Sequence, residues 1–158
     1  MISSIARLLA LYDCGVIEEA DVVAWADRAI AAHSDPSPPP QWLLDLSISG
    51  VDKNRSGAEC ELPPPESFSY AEEFALRATS LDIASDRDVL RFCRWVASAS
   101  SCGDLDDPLV RFGYMVDDLL EFDEVEAVTW ARAELDEHVP GLRARAEALR
   151  ELPPIDND

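Results

Sequence analysis

Positive charge is scarce in this chain. Only 13 of its 158 residues are lysine or arginine, against 32 aspartates and glutamates, and the formal net charge is −19. Lys53 is the single lysine. Because nucleic-acid phosphates and anionic lipid headgroups repel a surface of this sign, the composition argues against binding to nucleic acid or to a membrane. The charge favours a basic or polar protein partner; the alternative is acidity that serves only solubility.

The sequence also lacks the common signatures of catalysis and metal binding. The P-loop, G-x-G-x-x-G and G-x-S-x-G patterns do not occur, and there are only two histidines. The four cysteines, Cys14, Cys60, Cys93 and Cys102, contain no C-x-x-C pair. Neither an EF-hand loop nor paired Glu-x-x-His motifs are present. We therefore predict no cofactor, no metal and no catalytic residue; the alternative is an enzyme whose site is assembled from distant helices.

A membrane-spanning run and a leader peptide are likewise not indicated. The mildly apolar start, Met1 to Leu11, is interrupted by Arg7 and followed by Asp13. It is too short and too charged for a transmembrane span, and it lacks the basic n-region of a signal peptide. The irregular spacing of the cysteines is typical of reduced thiols. These features predict a cytoplasmic protein.

Strand patterns are missing, whereas helical spacing is frequent. No run alternates β-branched or aromatic residues with polar ones at period two. Apolar residues recur instead at three- and four-residue spacing, which indicates amphipathic helices. The first two helices are predicted over Ile2 to Tyr12 and over Glu18 to His33. We predict an all-α fold, a bundle or array of antiparallel helical hairpins with about seven to eight helices. A module of this kind that assembles with itself is an alternative to a binding protein.

Local signals set the expected helix limits. Gly15 suits the position just after a helix end, and Asp107 before Pro108 is typical of an N-cap with a first-turn proline. Capping boxes are predicted at Ser85 with Asp88 and at Asp123 with Glu126. Further expected limits are a short helix over Gln41 to Leu46 after the proline run 35–40, and a last helix that opens at Pro140.

The expected organisation is one helical domain. It covers residues 1–152 and includes an irregular loop at about 49–66, where glycine and three consecutive prolines occur. Residues 153–158, after Pro153 and Pro154, are predicted to form a mobile tail.

The negative charge is concentrated in one stretch. Between Asp104 and Glu126 there are nine acids, and Arg111 is the only base. On a helix, two of these acids would lie opposite the apolar face, and acids four residues apart would repel one another. Such a cost is compatible with a surface that meets a cationic partner; a simple solvated face is the alternative. The predicted partner-binding residues are Asp117, Asp118, Glu121, Asp123 and Glu124.

One pattern in the first third of the chain carries a resemblance to known proteins. It consists of Gly15-x-Ile17, then Val23-x-Trp25-Ala26-Asp27, a proline run, and Trp42-Leu43-x-Asp45-Leu46-Ser47. The pattern resembles that of small bacterial helical proteins of unassigned function, some of which are similar to the immunity partners of secreted polymorphic toxins. The resemblance implies a small, acidic, non-catalytic protein that works by occluding a toxin.

Overall fold

The fold is all-α, as the sequence predicts. A computed structural model describes residues 1–57, 62–100 and 103–151, and this part of the chain contains seven helices and no strand. The helices are α1 (Ile2–Asp13), α2 (Glu19–Ala32), α3 (Gln41–Ser56), α4 (Tyr70–Ser80), α5 (Asp86–Ser100), α6 (Pro108–Phe122) and α7 (Glu124–Arg150). The predicted mobile tail over 153–158 lies outside the described residues, as do Cys60 and Cys102.

The chain forms two compact units. The first consists of Met1–Ser67 and the segment that starts at Glu151, and the second is Phe68–Arg150. Helices α1 to α3 belong to the first unit, and α4 to α7 belong to the second. The single domain over residues 1–152 stays a prediction.

In the first unit, apolar faces of three helices surround one core. Ile5 and Leu9 of α1 meet Val22 and Trp25 of α2 and Leu43 of α3, all of them buried. The chain leaves α1 through Gly15, whose φ of 70° is easily adopted by glycine. The N–H of Gly15 donates to Tyr12 O at 2.9 Å and that of Val16 to Leu11 O at 3.0 Å, which is the hydrogen-bond pattern of a Schellman C-cap. The predicted role of Gly15 is thereby confirmed.

Helix α3 is longer than the sequence predicts. The expected end at Leu46 and the expected loop from Ser49 are wrong, because helical structure continues to Ser56. The helix is interrupted only at Gly50, where φ is 74° and ψ is −175°. Glycine is almost the only residue that adopts this conformation, so the chain changes direction there and resumes the helix at once.

Side chains satisfy the backbone groups that the break leaves without helical partners. One carboxylate oxygen of Glu19, in the first turn of α2, accepts hydrogen bonds from the N–H of Val51 at 2.7 Å and of Asp52 at 3.1 Å. It acts as an N-cap supplied from a distant helix. The buried side chain of Asn54 donates to the carbonyl of Gly50 at 2.6 Å. These contacts explain why the segment after Gly50 is helical rather than irregular.

The second unit is built around an aromatic cluster. Phe74 of α4 lies edge-on to Phe92 of α5 and to Phe112 of α6, with ring centroids 5.3 Å and 5.4 Å apart. Trp130 of α7 covers Phe112 at 5.2 Å, and Trp95 of α5 packs at an angle against Phe92 at 5.7 Å. Edge-to-face pairs of this kind add about 0.5–1.5 kcal/mol beyond area burial. Because the contacting rings come from α4, α5, α6 and α7, the four helices share one core.

The predicted helix starts of this unit are largely confirmed. The carboxylate of Asp107 accepts from the N–H of Leu109 at 2.8 Å, and Pro108 occupies the first helical position of α6. At the start of α5, Ser85 Oγ accepts from the N–H of Asp88 at 3.3 Å, as in the predicted capping box.

The C-terminal part of this unit differs from the prediction. The sequence predicts that a helix ends near His138 and that a new one opens at Pro140, but α7 runs through both as a single helix of 27 residues. Proline removes one hydrogen bond, to the carbonyl of Asp136. Because Pro140 and Asp136 are both exposed, water can solvate that carbonyl and the helix continues.

Candidate partner-binding surface

The predicted binding residues lie around the junction of α6 and α7. Helix α6 ends at Phe122 and α7 begins at Glu124, so Asp123 alone joins them. Its carboxylate accepts from the N–H of Val125 at 2.8 Å and of Glu126 at 3.3 Å. This is the Asp123 half of the predicted capping box, and it fixes a sharp corner at which two helices present their ends together.

Three of the five predicted residues form an exposed, unneutralised row on α6. Asp117, Asp118 and Glu121 are exposed, whereas Val116 on the opposite face is fully buried. Within the described residues, none of the three carboxylates makes an ion pair or a side-chain hydrogen bond. Asp117 and Glu121 stand four residues apart and repel each other. Packing of the opposite face holds the helix despite this repulsion, and the row is left open to a cation.

The other two predicted residues already have partners within the second unit. Asp123 caps α7, and Glu124 pairs with Arg94 of α5 at 2.6 Å. Because both partners of the ion pair are more than half exposed, the pair contributes at most about 1 kcal/mol. We use the name acidic corner for the surface formed by the five predicted residues and two apolar ones. These are Asp117, Asp118, Glu121, Asp123 and Glu124, with Phe122 and Val125.

Two apolar side chains that are not among the predicted binding residues are exposed at the same junction. Phe122 is 85% exposed and Val125 is 74% exposed. Phe122 falls outside the helical spacing set by Phe112 and Val116, which is the one sequence signal that places it away from the core. An exposed aromatic side chain among carboxylates is typical of a binding surface rather than of a surface that only keeps a protein in solution.

A groove borders the acidic corner between α5 and α7. It has a volume of ≈ 240 Å³, and its walls include Leu90, Val125 and Val128. Arg87 and Thr129 stand at the same groove, and both are exposed. Because Val125 belongs to both, the groove opens directly beside the acidic corner.

A second cleft lies between α5 and α6. Its volume is ≈ 460 Å³, and it is lined by Arg94, Ala97, Ser98, Asp117 and Leu120. The Arg94–Glu124 ion pair therefore joins a residue of this cleft to a residue of the first groove. Asp117 of the acidic corner therefore lines a shallow cleft, and Val125 lines the groove.

The side chain types that commonly bind metal ions are dispersed among the described residues. No group of three or more histidine, cysteine, aspartate or glutamate side chains in the described ranges is placed to hold a metal ion. His33 Nε2 is hydrogen-bonded to the carbonyl oxygen of Ser37 at 2.8 Å. His138 lies inside α7, where its Nε2 is 3.6 Å from Oε2 of Glu134.

The buried thiol of Cys93 is also unsuited to nucleophilic chemistry. Burial raises the pKa of Cys93 from 9.0 to about 11, so the thiol stays protonated at neutral pH. The thiolate is the reactive form, and a protonated buried cysteine behaves as a small apolar side chain. Cys93 is therefore part of the core of the second unit.

The helices described here do not combine the length and apolarity that a bilayer span requires. Comparison with protein-family models, with curated proteins and with solved structures finds no match for this chain.

Proposed function

We propose that this chain is a non-catalytic binding protein that engages a basic protein partner through the acidic corner. One observation carries the proposal: three exposed carboxylates without partners lie beside Phe122, an aromatic side chain that is 85% exposed. The carboxylates supply attraction to cations, and the aromatic ring supplies apolar area to bury.

The two kinds of side chain act on different stages of binding. A net charge of −19 accelerates encounter with a basic partner and orients it, most strongly at low ionic strength. Once the partner docks, burial of Phe122 and Val125 slows dissociation, because large apolar residues at the centre of an interface carry much of its binding energy. The combination supports a specific partner rather than diffuse attraction of any cation.

The more specific form of the proposal is an immunity protein that occludes a toxin. It is supported by the resemblance of the first third of the chain to proteins similar to toxin immunity partners. Occlusion needs only a complementary surface, and the acidic corner offers both charge and apolar area for one. The proposed place of action is the cytoplasm, where such a protein would meet an incoming toxin.

A pair of matched triple variants tests the surface. Asp117→Asn, Asp118→Asn and Glu121→Gln neutralise the exposed row of α6, while Asp136→Asn, Glu137→Gln and Glu147→Gln remove the same charge from exposed positions of α7. Affinity capture from extracts of the source cells, quantified by mass spectrometry, should lose a basic protein with the first variant only. Equal recovery with both variants would refute the acidic corner as the binding surface.

A growth assay tests occlusion. The open reading frame next to this gene is expressed alone and together with this chain in a heterologous host. Growth arrest that the wild-type chain and the α7 control variant relieve, but the α6 variant does not, is the expected outcome. Arrest that persists with the wild-type chain would contradict the immunity proposal for that gene pair.

A further inference from the structure

We infer that the groove between α5 and α7 receives an apolar side chain of the partner, flanked by basic residues that contact the acidic corner. The inference rests on the proposed function and adds the chemistry of the segment that docks. It predicts that the partner is recognised by one apolar anchor within a cationic stretch, and not by positive charge alone.

The size of the groove matches a side chain better than a small-molecule substrate. Its ≈ 240 Å³ lies below the roughly 300–1,000 Å³ that pockets for drug-sized ligands occupy. Leu90 and Val128 provide apolar wall, and Val125 extends that wall to a position 74% exposed to solvent. An apolar side chain placed there would bury Val125, which no residue of the described chain covers.

The charges around the groove determine what flanks the apolar anchor. Arg94 is held by Glu124, and Arg132 is held by Asp86 and by the carbonyl of Ile83, to which its Nε donates at 2.8 Å. These arginines therefore do not neutralise the row on α6 or the exposed Glu126.

Arg87 stands at the groove without a carboxylate partner among the described residues. It disfavours a cation on its own side. The basic residues of the docked segment must therefore lie toward α6, over the carboxylates, with the apolar anchor between them and Arg87.

The same charge pattern argues against a second copy of this chain as the occupant. Each copy carries −19, so two acidic corners facing each other would place like charges together at the contact. A basic segment would instead place positive charge against the acidic corner. Charge complementarity therefore selects a partner of opposite charge for this groove.

Two labelled peptides and three point variants test the inference by fluorescence anisotropy. The peptides are short and rich in lysine and arginine; one has a central tryptophan and the other a central serine. The variant Val125→Glu removes apolar wall and adds a negative charge, so electrostatic attraction alone would strengthen binding of both peptides. Leu105→Glu adds the same charge at an exposed loop position away from the groove, and Phe122→Ser removes the neighbouring aromatic ring.

We expect the wild-type chain to bind the tryptophan peptide about tenfold more tightly than the serine peptide. Val125→Glu should abolish this preference without weakening binding of the serine peptide, whereas Leu105→Glu should keep it. Equal affinity of the two peptides for the wild-type chain would overturn the inference. So would a preference that survives Val125→Glu or is lost only in Phe122→Ser.

The peptide affinities also distinguish a failure of the proposed function from a failure of the groove inference. If neutralising Asp117, Asp118 and Glu121 leaves the affinities of both peptides unchanged, the acidic corner does not bind cations and the proposed function fails. If the same variant weakens both peptides equally while no tryptophan preference exists, only the groove inference fails. Far-UV circular dichroism of each variant confirms that the fold is retained.

Discussion

Replacing Gly50 by alanine should destabilise the first unit strongly, because the added methyl group would both strain the backbone and displace a helix cap. The backbone at Gly50 has φ 74° and ψ −175°, a region that L-residues rarely adopt. A Cβ built there would lie 2.7 Å from Glu19 Cδ and would overlap the nearer carboxylate oxygen. That oxygen accepts the hydrogen bonds from Val51 and Asp52, so the methyl group would displace the cap of the second half of α3.

The expected loss in the free energy of unfolding follows from the backbone strain and the displaced cap. Backbone strain of this kind costs roughly 1–3 kcal/mol, and a hydrogen bond to a charged group contributes about 1.5–3 kcal/mol. Because the cap is only partly buried and can shift, we expect a total loss of about 3 kcal/mol. Glu19→Gln keeps an acceptor oxygen but removes its charge, so it should cost only about 1 kcal/mol.

Urea unfolding followed by circular dichroism measures the loss, and hydrogen exchange locates it. Faster exchange should be concentrated at the amides of Val51 and Asp52. Gly141→Ala is the matched control, because Gly141 lies inside α7 with no atom within 4 Å of an added Cβ; it should gain about 0.5–1 kcal/mol. If Gly50→Ala is as stable as wild type or behaves like Gly141→Ala, the reasoning about the capped break is wrong.

Three further outcomes are expected. Gly113→Ala should lower the free energy of unfolding, measured in urea, by about 1–3 kcal/mol. The added Cβ would overlap the Ser100 side chain and lie 3.1 Å from Val96 O. Unchanged stability would contradict this close helix contact. As pH rises from 9 to about 11, the free energy of unfolding should fall, because Cys93 ionises at a lower pH in the unfolded chain than in the folded one. Urea titration at each pH measures this fall, and Cys93→Ala should flatten it. Glu124→Gln should change stability by less than about 1 kcal/mol, because its pair with Arg94 is exposed; a larger loss in thermal unfolding would show that the pair is structural.

Much of the fold can be predicted from sequence because its signals are local. The end of α1 at Gly15 and the start of α6 at Asp107 and Pro108 depend on neighbouring backbone groups that lie within a few residues of them. Helical spacing likewise places Phe112 and Val116 on one buried face. These features need no knowledge of the rest of the molecule.

The errors arise where distant groups decide the outcome. The sequence shows Gly50, but the carboxylate that caps the next turn comes from Glu19, 31 residues earlier. The sequence also shows Pro140, but exposure of the preceding turn lets α7 continue through it. Local rules alone predict a loop in the first case and a helix end in the second.

The candidate site shows the same division. Composition alone identifies the acids of α6, because excess charge is visible without a fold. Helical spacing places Phe122 away from the buried face of α6 but does not show how exposed it is. The groove beside Val125 depends on how α5 and α7 pack together, so it emerges only from the structure.

Carboxyl footprinting tests the acidic corner most directly. Carbodiimide-activated labelling of aspartates and glutamates is measured by mass spectrometry, with and without the tryptophan peptide at saturating concentration. Asp117, Asp118 and Glu121 should lose most of their labelling, while Asp136 and Glu137 on α7 keep theirs. Protection spread evenly over all exposed acids, or confined to acids of the first unit, would contradict it.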